Sequence, residues 1–131
     1  MRLEDYITEL ENDLKFDELN LKDYQQRLPG IKHKWAGRCI RHKLELITLK
    51  KNRDKLKRAI VDKINEMSPV KLTAPVAERT AENSNELTEA DARIKEIELV
   101  IELLEKSERT LNSTSYDIKN LIDIMKLETT W

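Results

Sequence analysis

The chain has two glycines, three prolines, one phenylalanine and one cysteine in 131 residues. Strands need more aromatic and β-branched residues than this, and a large compact core needs more than 39% apolar residues. The lone cysteine, Cys39, excludes an intrachain disulfide and fits a reducing compartment. No apolar run approaches the length of a membrane span, and the acidic start "MRLEDYITELEND" has no signal-peptide character. The expected setting is cytoplasmic, with no membrane partner. The two glycines in "GIKHKWAG" lack the spacing of a phosphate-cradling loop. Cys39, His33 and His42 are the whole Cys/His supply for a zinc site. The two histidines lie nine residues apart, about 180° out of phase on a helix, so they cannot share a site within one chain. His33 is expected to be exposed and His42 to border the core. No catalytic constellation, metal or cofactor is expected, and the chain reads as a non-enzyme.

What is present is charge: 37% of residues, against about 25% in an ordinary domain. The net charge of −1 conceals three blocks, with residues 1–30 at −4, 31–72 at +9 and 73–131 at −6. The densest run is "KKNRDKLKR", Lys50 to Arg58, with six cations and one Asp. Such a composition describes an all-α protein of long, solvated amphipathic helices in a single domain. A monomer of this kind buries little surface against its conformational entropy, so part of the apolar surface is expected to be buried between copies.

Apolar spacing places helices over about 3–15, 21–28, 31–67 and 88–127. An interruption is expected near Pro29–Gly30, although Pro29 also suits the first turn of the following helix. The segment 68–86, with two prolines and many small or polar residues, reads as a poorly ordered linker. Thr88 with Asp91 resembles a capping box at the start of the last helix. Ile94, Ile97, Ile101, Leu104, Leu111, Ile118, Ile122 and Met125 keep a coiled-coil spacing there, broken only at Glu108 and Ser115. With no other evident use for this face, these eight residues are the expected oligomerisation seam, and a charge at Ile101 is expected to dissociate the assembly. "NSTS", Asn112 to Ser115, has weak helix propensity and is a place where the helix could loosen.

On a helical wheel, Lys43, Lys50 and Lys57 share one heptad line, Lys51 and Arg58 the next, and Lys34, Arg41 and Lys55 a third. They oppose the apolar stripe of Trp35, Leu49 and Leu56, while Arg53 turns to the packed side and is expected to pair with a carboxylate in an interface. A cationic face of this kind suits a phosphate backbone, bound without regard to sequence and sensitively to salt. The aromatic platforms of an ordinary single-strand binder are missing. A solvated helix surface, neutralised by the acidic segments of the same chain, is the competing reading.

Several segments together resemble the UvsY family of phage recombination mediators: "MRLEDYITELENDL", "HKWAGR" opening the long basic helix, "KLKRAI" near its end, and "YDIKNLIDIMKLE". The resemblance covers most of the chain outside 68–86. It implies an all-helical protein forming a homo-oligomeric ring of six or seven chains, with coiled-coil-like packing. It also implies binding to single-stranded DNA, to a RecA-like recombinase of the UvsX type and to a single-strand-binding protein, in the cytoplasm of the infected bacterium. The implied role is to load the recombinase onto DNA covered by single-strand-binding protein, in recombination, repair and recombination-dependent replication. The family's Leu–Lys–Ala–Arg–Leu stretch, associated with DNA binding, has its counterpart in Leu56–Lys57–Arg58–Ala59–Ile60. Lys57 carries over directly, whereas the Arg/Ala exchange turns Arg58 by about 100° around the helix. The alternative is a helical assembly protein whose basic patch docks on an acidic protein surface.

Overall fold

In the computed structural model, which describes residues 2–70 and 72–129, four helices follow one another: α1 (Arg2–Asp13), α2 (Leu21–Met67), α3 (Ala74–Glu82) and α4 (Asn85–Thr129). The described residues contain no strand. They fall into two compact units, one formed by Met1–Arg41 with Val100–Trp131 and the other by His42–Leu99.

In the first unit, α1 and α2 are joined by a turn that satisfies itself. Asp17 Oδ1 accepts from the amides of Leu19 (2.9 Å) and Asn20 (3.1 Å), and Asn20 Oδ1 accepts from the Asp17 amide at 2.9 Å. These side chains stand in for backbone partners that a helix end lacks. The Tyr24 hydroxyl then donates to the Asp13 carbonyl at 2.5 Å, fixing the end of α1. Buried positions on this part of α2 are Tyr24, Leu28, Ile31, Trp35 and Cys39, spaced at helical period.

That buried stripe explains why the expected break at Pro29–Gly30 does not occur. Leu28 and Ile31 are buried on one face, while Pro29 and Gly30 are exposed on the other. The carbonyl deprived of its partner by Pro29 belongs to Gln25, also exposed, so it is not left unpaired in the core. Gly30 has helical backbone with no positive φ, and an added Cβ meets nothing within 4 Å. Gly30→Ala is therefore expected to raise stability by about 0.5–1 kcal/mol, read as a higher urea midpoint at unchanged m-value.

α4 contributes Val100, Ile101, Leu104, Ser107, Leu111, Thr114 and Ile118 to the core of the first unit. Val100, Ser107 and Thr114 form one heptad line, and Leu104, Leu111 and Ile118 its neighbour. The stripe is thus rotated from the one read in the sequence: Glu108 and Ser115 flank it, and two hydroxyl residues lie inside it. Each buried hydroxyl donates to the carbonyl four residues back, Ser107 to Leu103 at 2.7 Å and Thr114 to Thr110 at 2.9 Å. Helix α4 accordingly runs unbroken through Asn112–Ser115. Helix propensity loses to packing here.

In the second unit, the segment expected to be a linker contains α3. Pro75 occupies its first turn, where a missing amide costs nothing, and Ala77 and Ala81 bury one small-residue face. Helix α4 opens at Asn85, three residues before the start expected at Thr88, and Ser84 caps it: its Oγ accepts from the Leu87 amide at 3.3 Å. Leu87, Ile97 and His42 are also buried in this unit.

Candidate nucleic-acid interface

The eight expected phosphate-binding cations are distributed over both units. Lys34 and Arg41 belong to the first, and Lys43, Lys50, Lys51, Lys55, Lys57 and Arg58 to the second. All eight lie on α2.

Lys34 is committed within its own unit. Its ammonium stands 2.6 Å from Asp13 and 3.0 Å from Glu9. Burial opposes its charged form, and the bonds to Asp13 and Glu9 outweigh that, holding its pKa above the ordinary lysine value. Arg38 takes the other Glu9 oxygen, and this bond foremost holds the Glu9 carboxyl below the usual range. Trp35, wholly buried, donates its indole N–H to Asp13 at 2.7 Å and meets the Tyr6 ring edge-on at 5.5 Å. The guanidinium of Arg38 lies 4.6 Å from the Trp35 ring centroid. These residues fasten α1 to α2. Arg41 is exposed.

In the second unit Lys43, Lys50, Lys51, Lys55 and Arg58 are exposed. At 100° per residue they span one side of α2, together with Lys57. Lys50 has a loose neighbour, the Glu98 carboxylate at 4.0 Å, and its side chain is 57% exposed. Lys57 is tied to Glu82 of α3 at 2.8 Å, which raises its pKa and lowers that of Glu82. Arg53 turns inward as its wheel position implies, onto carboxylates of this same chain. It pairs with Asp91 at 2.7 Å and with Glu82 at 2.7 Å, and the bond to Asp91 foremost raises its pKa.

Leu44 and Ile47 sit among the cations, as the wheel places them, and are 60% and 52% exposed. The second apolar line of Ile40, Ile47 and Val61, expected to pack on another neighbour, leaves Ile40 and Ile47 exposed. Glu82 reaches Lys57 across 25 positions from a segment without an evident helical pattern, so no local signal announced it. Asp54 and Asp62 are also exposed on α2 and share with Lys57 and Arg58 a shallow groove of about 310 Å³, so this end of the face carries both signs.

The expected oligomerisation seam divides. Ile97, Ile101, Leu104, Leu111 and Ile118 are buried within the protomer, Ile94 and Met125 are half-buried, and Ile122 is exposed. The premise that this face has no other use does not hold, because packing inside each unit consumes most of it. Besides Leu99 and Tyr116, the apolar surface left on α4 lies at its C-terminal end, where Ile122, Ile124 and Leu127 are exposed. There, a groove of about 940 Å³ is lined by residues including Leu19, Leu21, Ile118, Ile122 and Met125.

Among the described residues no group of three or more His, Cys, Asp or Glu side chains is placed to hold a metal ion. None of the described helices is long and apolar enough to cross a membrane.

No family model matches the chain, and no curated protein matches its sequence. Its fold has solved counterparts in crystal structures of the bacteriophage T4 recombination mediator protein UvsY. One superposes with a TM-score of 0.85 at 18% identity, over 98% of this chain and 99% of that one. Two further lattice forms give 0.84 at 18% identity, over 98% of each chain, and 0.83 at 15% identity, over 95% of this chain and 98% of that one. The all-helical fold of this chain is that of UvsY.

Proposed function

We propose that this chain is a recombination mediator that binds single-stranded DNA, with the exposed cations of α2 in the His42–Leu99 unit gripping the phosphate backbone. The observation that carries the reading is the combination of a UvsY fold over nearly the whole chain with a row of solvent-facing Lys43, Lys50, Lys51, Lys55 and Arg58 on one helix. Each cation that neutralises a phosphate releases counterions from the strand, so binding needs no base recognition. Repetition of the face around a homo-oligomer of six or seven chains raises the local potential and lengthens the grip. The mediator works without bond chemistry. It holds a strand by its backbone, leaving the bases free, while a RecA-like recombinase of the UvsX type replaces single-strand-binding protein in the host cytoplasm. The exposed C-terminal end of α4, with Ile122 and Met125, is the surface proposed to join copies.

The test is binding to oligo-dT. The variant with Lys50, Lys51, Lys55 and Arg58 all replaced by alanine is expected to bind about a hundredfold more weakly at low salt, with helicity and sedimentation unchanged. Equal binding by variant and wild type overturns the assignment. A second reading, an assembly protein docking on acidic protein surface, is favoured by the pairing of Lys34 and Lys57 with carboxylates of the chain. It requires a folded oligomer that ignores oligo-dT at low salt.

A further inference from the structure

Glu82 is the last residue of α3, and its two carboxylate oxygens serve two different cations. Oε1 takes the Lys57 ammonium at 2.8 Å and Oε2 takes the Arg53 guanidinium at 2.7 Å. A phosphodiester also presents two unesterified oxygens, and these can bridge the same lysine and arginine. The three side chains remain open to solvent, Arg53 at 20%, Lys57 at 28% and Glu82 at 39% exposure. We propose that Arg53 and Lys57 form a phosphate site that the chain keeps filled with its own carboxylate, and that a DNA backbone phosphate displaces Glu82 from it. This inference rests on the DNA-binding reading above and adds to it a site, its ligand and its internal competitor.

The attachment of α3 suits such an exchange. Nine residues make a helix too short to be stable alone, since isolated helices below about 12–15 residues are marginal in water. Thr73 at its N-cap makes no side-chain capping bond, and the side chains it buries are the small Ala77 and Ala81. Together with the buried Ala81, the ion pairs at Glu82 fasten its C-terminal end. Arg53 does not depend on them for its orientation. Asp91 holds it from α4 through two bonds, Nε to Oδ1 at 2.7 Å and Nη2 to Oδ2 at 3.4 Å, which persist when Glu82 leaves. Lys57 then keeps only the weaker attraction of Glu78 and stands beside exposed Arg58, so departure of Glu82 extends the cationic face by one group and removes one opposing charge.

The experiment compares wild type, Glu82→Gln, Glu82→Gln with Lys57→Ala, and Glu96→Gln. The last is an exposed site in the same unit that makes the same change in net charge. Oligo-dT affinity is measured at low salt, and amide hydrogen exchange across residues 74–82 is followed with and without oligo-dT. Glu82→Gln is expected to bind about two- to fivefold tighter than wild type, the scale of an exposed ion pair. The gain should vanish when Lys57→Ala is added, and Glu96→Gln should show a smaller one. In wild type, oligo-dT should speed exchange in 74–82; in Glu82→Gln the exchange should already be fast without DNA. If wild type binds and Glu82→Gln binds no tighter, or if DNA leaves the 74–82 amides as protected as before, the masked site is wrong while the DNA-binding reading stands. If no protein binds oligo-dT, both fall. Unchanged circular dichroism and sedimentation verify that Glu82→Gln remains folded, and the exchange measurement on wild type needs no variant.

Discussion

Trp35→Ala is expected to destabilise the protein by about 3–5 kcal/mol, the range for truncating a fully buried aromatic side chain. Trp35 has no solvent-accessible surface, and it is where α1 meets α2. Its N–H satisfies Asp13 at 2.7 Å, the Tyr6 ring stands against it at 86°, and Arg38 and Lys34 lie 4.6 and 5.2 Å from its ring centroid. Removing the indole opens a cavity and takes one donor from a carboxylate that Lys34 alone would then hold. Trp35→Phe keeps most of the ring and loses the hydrogen bond, so its cost should be nearer 1–2 kcal/mol. Urea unfolding followed by circular dichroism separates the two values. A loss below about 1 kcal/mol for the alanine variant would show that this junction contributes little.

Ile101→Asp is expected to unfold the protomer, with a loss above about 4 kcal/mol: the isoleucine's burial is forfeited and a carboxylate is placed in an apolar core. Ile101 is 7% exposed, between Val100 at 1% and Leu104 at 0%. From the sequence alone the same change should only separate subunits. Ile124→Asp supplies the contrast, because Ile124 is 52% exposed and a charge there should leave stability within about 0.5 kcal/mol. Ile124 lies about 160° around the helix from Ile122, so sedimentation of Ile122→Asp, on the proposed surface, reports whether the end of α4 joins copies. A folded, merely dissociated Ile101→Asp would contradict the burial described here.

The helical class and the long amphipathic segments are legible in the sequence because apolar residues recur at helical period over dozens of positions. Pro29, "NSTS" and the 68–86 segment mislead for one shared reason: local propensity speaks against helix, and buried neighbours decide otherwise. Leu28 and Ile31 carry α2 past its proline, Thr114 sits in a core that accepts its hydroxyl, and Ala77 with Ala81 gives α3 a face too small to register as apolar. The seam on α4 was displaced because Ser107 and Thr114 look polar in a sequence and yet bond back to their own helix, while Glu108 and Ser115 fell outside the stripe. For the candidate interface, the wheel separates exposed Lys50, Lys51, Lys55 and Arg58 from inward Arg53. It has no means of finding Glu82, since that contact depends on how α3 returns to α2.

The most direct measurement is the affinity of the folded protein for oligo-dT over a range of salt concentrations, repeated with a mixed-sequence strand. Expected is a linear fall of log affinity with log salt at about −0.7 per phosphate contacted, equal for both strands. Replacing Lys50, Lys51, Lys55 and Arg58 by alanine should flatten that slope by about three units, as expected for four lost contacts. No binding at low salt, or a slope that the four substitutions leave unchanged, would contradict a phosphate-gripping face on α2.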